Sequence, residues 1–477
     1  MLLKQTKIVA TISDRKCDVA FIQELYDAGM NVVRLNTAHQ TLADSLKVIE
    51  NVRKVNENLP ILVDTKGPEI RTTKAESDIF LKQGEKIFFK GDQDKLSSSK
   101  CIYTTYSKFV QEVPVGCKIL IDDGELEFVV ISKDYEKLEC EILNDGELGS
   151  RKSINIPGVT VALPSLSSKD REFIDFAIKQ NVTFIAHSFV RNKEDVIEIQ
   201  KILDEQKSPV KIIAKIENQQ GVDNIDEILE HVYGIMIARG DLGIEIPAEM
   251  IPGVQKQLIR KSVACRKPVI VATQMLYTMI HNPRPTRAEV SDVANAIFEG
   301  TDAIMLSGET AFGKYPLESV KTMTRIAQQV ENIRTDFKEP SDKALHNKIS
   351  GLLAKAAVQA TVKLPVQCIV ADSMNGRTIR NLSAFRGKFP ILAFCYTKEL
   401  MRELALSYGV KAYHINQRNS TDEFYQILTS ILLEEGTLKL EDLIVVVAGN
   451  FGPGNGASFI EISTIDSLSK RTSNIKH

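Results

Sequence analysis

Short apolar runs alternate with helical periodicity along most of the chain. Residues 6–12, 31–35, 60–64, 182–186, 211–215, 233–238, 268–272 and 302–306 read as strands. Each is a β-branched or apolar run of strand length, bounded by polar or turn residues. Helical stretches follow them, the first through Phe21, Ile22, Leu25 and Ala28, the second over Leu42–Val55. Strands spaced by helices imply a parallel sheet. Eight such units fit a closed (β/α)8 TIM barrel better than an open sheet.

Two stretches break the alternation. From 72 to 164 the helical period disappears, and 87–89, 118–121, 126–131 and 138–142 read as short strands. Asp122-Asp-Gly124 and Asn144-Asp-Gly146 are hairpin signals between them. This is a small inserted β-barrel domain in a βα loop, placed to act as a lid that keeps water from the chemistry. Beyond a charged linker at 334–342, a helical run over 344–362 leads to strands at 366–371, 390–394 and 443–448. That pattern predicts a C-terminal α/β sandwich. The expected organisation is therefore barrel at 1–71, β lid at 72–164, barrel again at 165–334, and α/β domain at 335–477.

In such barrels the chemistry sits where strands end and βα loops begin. Polar residues gather there: Arg34 and Asn36, Asp64 to Arg71, Lys215 and Glu217, Arg239 to Asp241, Thr273 and Gln274, and Ser307 to Thr310. Lys215 and Glu217 stand two apart on one strand, so they share a face. Charge at the tip of a buried strand is costly unless a partner or a metal offsets it.

Eight segments, long and in order, carry a resemblance. They are Lys7-Ile-Val-Ala-Thr11, Val33-Arg-Leu-Asn36, Asp64-Thr-Lys-Gly-Pro-Glu-Ile-Arg71, Ile213-Ala-Lys-Ile-Glu-Asn218, Ala238-Arg-Gly-Asp-Leu-Gly243, Ala272-Thr-Gln-Met-Leu276, Pro285-Thr-Arg-Ala-Glu-Val-Ser-Asp-Val-Ala294 and Leu306-Ser-Gly-Glu-Thr310. Over essentially its full length the chain resembles the pyruvate kinases. The resemblance implies transfer of the phosphoryl group of phosphoenolpyruvate to ADP, giving pyruvate and ATP. Such a transfer asks the protein mainly for cations that position and neutralise the moving charge.

By resemblance, Glu217 and Asp241 hold Mg2+ (or Mn2+), a hard ion that suits carboxylate oxygens. Lys215 steadies the transferring group, Arg34 meets the substrate phosphate, and Arg71 the nucleotide phosphates. Gly240, Asp241 and Thr273 bind substrate through the Arg239-Gly-Asp turn. Thr273 with water, backed by Ser307 and Glu309, resembles the family's proton relay to the enolate. Asn36, His39 and Lys169 match the nucleotide side. Asn36, Asp64 and Thr65 match a K+ site, which Glu69 keeps anionic. In the C-terminal domain, Ser373, Arg377 and Thr378 match a sugar-phosphate effector loop, with the glycine-rich 449–458 beside it. The family also implies a homotetramer.

The chain departs from the family in three places. The usual serine ligand to K+ is absent, since the loop reads Asn36-Thr37-Ala38-His39. The Gly-Pro after the first strand is replaced by Thr11-Ile-Ser13-Asp14-Arg15. The effector loop carries Met374-Asn375 where relatives read Ser-Gly-Arg-Thr. Composition adds exclusions. At 477 residues with a net charge of −2, nothing invites nucleic acid. No apolar run reaches membrane length and the N-terminus is too polar for a signal peptide. Seven scattered cysteines suit reduced thiols in a cytoplasm. Two alternatives carry other predictions. A different barrel enzyme acting on phosphoenolpyruvate would lack Arg71 and the lid. A catalytically inactive regulatory homologue would have lost Lys215, Glu217, Asp241 or Thr273.

Overall fold

The computed structural model describes residues 4–75, 77–334, 340, 347–418, 420–449 and 457–473. The linker at 334–342 and the glycine-rich 449–458 therefore fall mostly outside the described residues.

Eight parallel strands close into a barrel: Lys7–Thr11, Val32–Asn36, Ile61–Asp64, Phe184–His187, Lys211–Ile216, Gly234–Ala238, Val269–Ala272 and Ala303–Leu306. They are called the first to eighth strands below. Each neighbours the next, and the first pairs with the eighth from Lys7 opposite Ala303 to Ala10 opposite Leu306. Alternate residues point to the two faces of each strand. Val9, Leu62, Phe184, Ile213, Met236, Ile270 and Met305 fill the barrel, whereas Ile8, Val33, Val63, Ile185, Ala214 and Ile304 pack outward against the helices. Both faces are covered, which is why the strands read as continuous apolar runs.

The helices start on sequence-coded caps. Thr41, Ser167 and Thr286 each form a reciprocal capping box, with Asp44, Asp170 and Glu289 as partners. These caps sit at the C-terminal end of the barrel and fix where the βα loops end.

The insertion after the third strand forms a sheet of its own. Seven strands from Ile70–Arg71 to Ser153–Asn155 enclose a separate core around Phe89, Phe109 and Phe128. A bridge between Thr72 and Thr104 joins the two edge strands, so the sheet curls toward closure. Asp122 and Asp123 adopt positive φ in the first expected hairpin.

The C-terminal domain is a five-stranded sheet between two helical layers. Its order runs Val410–His414, Ile391–Cys395, Val366–Ser373, Leu443–Ala448, Phe459–Thr464, the last antiparallel to its neighbour. One apolar cluster lies on each face. The domain closes the N-terminal end of the barrel, where Leu406 joins the interior cluster. A buried ion pair between Arg386 and Asp302, at 2.6 Å, crosses the seam, as does the bond from Lys7 Nζ to Val410 O at 2.6 Å.

Candidate active site

The opposite, C-terminal end of the barrel gathers the charged residues. On the second strand, Arg34 is buried. Its Nε donates to Asp64 Oδ2 at 2.7 Å and Nη1 to Thr11 Oγ1 at 2.9 Å. Asp64, at the end of the third strand, also faces Lys215 Nζ, 3.2 Å from Oδ1. Burial alone would raise the Asp64 pKa, but the two cations beside it, Lys215 and Arg34, outweigh that and hold it below the ordinary carboxylate range.

Lys215 is ringed by three oxygens, of which it hydrogen-bonds Ser188 Oγ. Nζ lies 2.8 Å from Glu217 Oε1, 2.8 Å from Ser188 Oγ and 3.2 Å from Asp64. Burial favours the neutral amine, but Asp64, Glu217 and Asp241 outweigh it and hold the lysine protonated. Glu217 is fully buried. Its Oε2 accepts from Phe189 N at 2.7 Å, while Oε1 has Lys215 at contact distance but no donor in hydrogen-bonding geometry. Burial pushes its carboxyl up to about 8, with Asp241 adding to the shift despite Lys215. A carboxylate held this high is one that a cation would relieve. Among the described residues no group of three or more His, Cys, Asp or Glu could hold a metal. Glu217 and Asp241 would supply two ligands only, leaving substrate and water to complete a shell.

The sixth and seventh strands meet at a strained turn. Thr273 and Gln274 both take positive φ, +69° and +53°. For a β-branched residue this is a costly conformation, held only when its surroundings fix it. Arg239 provides the grip. Its Nη2 donates to Thr273 O at 2.8 Å and contacts Met275 Sδ at 2.9 Å, while Nη1 pairs with Asp292 at 2.7 Å. Thr273 Oγ1 accepts from Gly240 N at 2.7 Å and donates to Ala272 O at 2.6 Å. The turn thus brings Gly240, Asp241 and Thr273 together.

Some expected residues stand apart from this centre. Glu309 is buried, and both carboxylate oxygens accept backbone N–H groups, from Leu276 at 3.1 Å and Ser307 at 2.8 Å. It braces two loops, and no described hydrogen bond joins it or Ser307 to Thr273. Ser307 Oγ is buried without a partner. Glu69 pairs with Arg71 at 2.7 Å and Lys66 at 3.6 Å. Arg71 also donates to Arg151 O at 2.8 Å, which ties it to the lid. His39 is exposed, and Lys169 lies over the Phe173 ring at 5.5 Å in the first turn of its helix. Of the potassium set, Asn36 Oδ1 accepts from Ala38 N at 3.1 Å, and Thr65 O from Ser188 Oγ at 2.7 Å.

The fourth strand contributes what the sequence reading passed over. Ser188 Oγ touches Lys215, Thr65 O and Asp64, and Phe189, at φ +55°, turns its N–H onto Glu217. Gly67 permits this crossing: at φ +74°, a Cβ there would lie 2.7 Å from Phe189 and 2.9 Å from Ser188. The nearby signal was Ser188-Phe189, separated by one residue from the end of the fourth predicted strand at 186.

A family model described as pyruvate kinase, barrel domain, matches residues 3–320, and a second, pyruvate kinase, alpha/beta domain, matches 352–463. The chain belongs to the pyruvate kinase family. A pyruvate kinase of Borreliella burgdorferi is 48% identical over 478 residues, covering 98% of this chain and 99% of that protein. A pyruvate kinase of Bacillus licheniformis is 43% identical over 473 residues, covering 97% of this chain and 81% of its own. The crystal structure of a pyruvate kinase from Cryptosporidium parvum superposes with a TM-score of 0.90 at 35% identity, over 97% of this chain and 96% of that one. Pyruvate kinases are phosphotransferases, and the barrel with its inserted sheet and C-terminal α/β domain is the architecture of the family. The inactive-homologue alternative predicts loss of Lys215, Glu217, Asp241 or Thr273, and all four are present.

Proposed function

We propose that the rim of the barrel moves the phosphoryl group of phosphoenolpyruvate to ADP, giving pyruvate and ATP. The observation that carries this reading is Lys215 held protonated between Asp64, Glu217 and Ser188, beside Arg34.

Arg34 has five N–H donors and spends three on Asp64 and Thr11, so two remain for substrate phosphate oxygens. Lys215 hydrogen-bonds Ser188 and lies at ion-pair distance from Glu217 and Asp64, and one of these contacts yields when it turns to the transferring group. Its contact with Asp64 is the longest and the one to yield, and Asp64 keeps Arg34 when it does. Glu217 and Asp241 would hold a divalent cation, Mg2+ or Mn2+. When bound, that cation supplies positive charge to the oxygens of the transferring group. Gly240 and Asp241 bound the carboxylate end of the substrate. Thr273, through water, delivers the proton that converts the enolate to pyruvate, while Glu309 fixes the Ser307 and Leu276 backbone around it. Arg71, with Asn36, His39 and Lys169, faces the nucleotide. Arg71 carries that role through the lid, since its anchor is Arg151 O.

A potassium ion at Asn36, Asp64 and Thr65 would share oxygens that already have donors. Carbonyl and carboxylate oxygens have a second lone pair for that purpose. The domain bounds 1–71, 72–164, 165–334 and 335–477 follow the same reading. So do a homotetramer, a sugar-phosphate effector at Ser373, Arg377 and Thr378, and a cytoplasmic location. Ser373 Oγ accepting from Gly376 N at 2.8 Å supports an ordered effector loop. All seven cysteines are free thiols, and among the described residues no helix is long and apolar enough to cross a membrane.

The test is pyruvate formation from phosphoenolpyruvate and ADP with Mg2+, with and without K+. Strong activation by K+ supports the Asn36, Asp64 and Thr65 assignment despite Ala38. Equal activity without K+ removes that assignment, and no activity in either condition removes the enzyme reading.

A further inference from the structure

Where the C-terminal domain meets the N-terminal end of the barrel, far from the rim just described, a narrow cleft opens to solvent. About 200 Å3 of atom-free space lies between its walls when the open mouth is counted, most of it continuous with solvent. Arg266, Lys267, Arg380 and Arg386 line it, with Asp302 as the one carboxylate and Ser407 alongside.

Asp302 is fully committed. Its Oδ2 takes Arg386 Nη2 at 2.6 Å and Val269 N at 3.1 Å, and its Oδ1 takes Tyr408 N at 2.9 Å. Arg386 is likewise consumed, by Asp302, Gly300 O and Ser383 O. Lys267 and Arg380 differ. Lys267 Nζ donates to Val232 O at 2.6 Å, which leaves two N–H groups. Arg380 donates from Nη2 to Asn375 O at 3.0 Å and lies over the Tyr233 ring at 5.6 Å. Its Nη1 is buried with no acceptor in hydrogen-bonding geometry. Among the described residues, neither has an ion-pair partner. Glu403, whose charge reaches Arg380, is already paired with Lys211 at 3.4 Å. The Ser407 hydroxyl, 2% exposed, lines the same cleft without a partner.

Buried donors are ordinarily satisfied, and cations brought together at a part-buried site are ordinarily paired. Here burial, and then Arg380, hold the Lys267 ammonium below its usual range. Both effects are reversed by an anion. Each unmet group can donate, the Ser407 hydroxyl by rotating its O–H, and two carry charge, which suits a compact acceptor with several oxygens.

We propose that this cleft binds a small oxyanion of the phosphate class, held by Lys267, Arg380 and Ser407. Inorganic phosphate and the terminal phosphate of a small phosphomonoester share that chemistry. The bound anion ties the barrel turn at Lys267 to the helix Arg377–Ala384. Through Arg380 and Asn375 O it also reaches the loop that leads into that helix.

The experiment is isothermal titration of the full-length enzyme with inorganic phosphate, and separately with glycerol phosphate, at constant ionic strength set by chloride. Binding in the wild type is expected to weaken at least tenfold in Lys267→Gln and in Arg380→Gln. It should persist in Lys215→Met and Arg377→Gln, whose changes lie at the rim and at the exposed first residue of the helix Arg377–Ala384. Ser407→Ala, a small change that tests the site if a charge variant fails to fold, should weaken binding several-fold. The ligand that binds more tightly names the source. The proposal is overturned if neither ligand binds. It is also overturned if binding survives Lys267→Gln, Arg380→Gln and Ser407→Ala, or disappears in Lys215→Met or Arg377→Gln.

Discussion

Replacing Lys215 with Met removes a charge of known surroundings while keeping the unbranched stem of the side chain. Nζ stands 2.8 Å from Glu217 Oε1, where two unit charges interact by about 6 kcal/mol at an effective dielectric of roughly 20. Much of that is spent on desolvation, and breaking such a pair typically costs roughly 3–5 kcal/mol of stability. Two features reduce the cost here. Asp64 retains Arg34 at 2.7 Å, and Glu217, already raised to about 8, takes up a proton instead of standing as an unpaired charge. The variant should therefore fold. Its loss should appear in turnover, since a preorganised charge aimed at the transition state is worth roughly a factor of 10²–10³ in kcat. The assay is steady-state kinetics, with the KM for phosphoenolpyruvate measured beside kcat and urea unfolding as a control. Arg34 still grips the phosphate, so KM should move by less than kcat. A folded variant with kcat within tenfold of wild type would refute the role given to Lys215. So would a rise in KM with kcat unchanged.

Two further predictions concern protons. The Glu217 carboxyl is raised in the folded chain, so its contribution to stability is present below about 4.5 and is lost as pH rises through about 8. A cation competes with that proton, so Mg2+ affinity should climb by about tenfold per pH unit below pH ~8 and level off above it. Titrations with Mg2+ from pH 6 to 9 check this, and a flat profile, or an unchanged slope in Glu217→Gln, would contradict it. His187 is buried with neither ring nitrogen hydrogen-bonded, and burial lowers it to about 4 despite Asp195, Asp170 and Glu198 nearby. Its contribution is complete above about 6.5 and is lost as pH falls toward 4, a loss on the order of 3 kcal/mol. Urea midpoints at pH 7 and 4.5 should differ less in His187→Ala than in wild type, and an equal difference would sink the assignment.

The barrel was legible because its strands are buried on both faces, so each shows as an unbroken apolar run. The lid was legible because helical periodicity stops and Asp-Gly turns begin. Every expected strand overlaps an observed one. The short strands Ile79–Leu81, Cys101–Thr104, Gly146–Leu148 and Ser153–Asn155 and the edge strands Val410–His414 and Phe459–Thr464 were not anticipated, being too short or too polar to show as apolar runs. The rim was legible where charge marks it, at Arg34, Asp64, Lys215, Glu217 and Asp241. It was illegible where function is carried by backbone or by a small hydroxyl. Phe189 contributes an N–H that depends on a positive φ, and no side-chain reading can show that. Ser188 is uncharged, although it touches both Lys215 and Asp64. Glu309 illustrates the reverse difficulty. A carboxylate in a loop reads as available for chemistry, but backbone donors from two segments occupy both of its oxygens. Glu69 finds its cation two residues away, in Arg71, which a pattern of single charges does not reveal.

The arrangement at the rim also explains why so many carboxylates serve a reaction of anions. Arg34 and Lys215 face Asp64, Glu217 and Asp241, so two cations stand against three carboxylates and one negative charge is left over. Without those carboxylates, two cations this close would repel each other and splay toward solvent. Asp64 prevents it by sharing one oxygen with each: Oδ2 with Arg34 and Oδ1 with Lys215. Burial resists that surplus most at Glu217, whose raised carboxyl holds its proton to higher pH and where a divalent cation would help most. A substrate that is itself an anion then meets a rim whose excess charge has been reversed, with both cations already aimed. On the proposed role, Lys215 would give up only its longest contact to engage the moving group, and Asp64, still held by Arg34, would not be left as an unpaired buried charge.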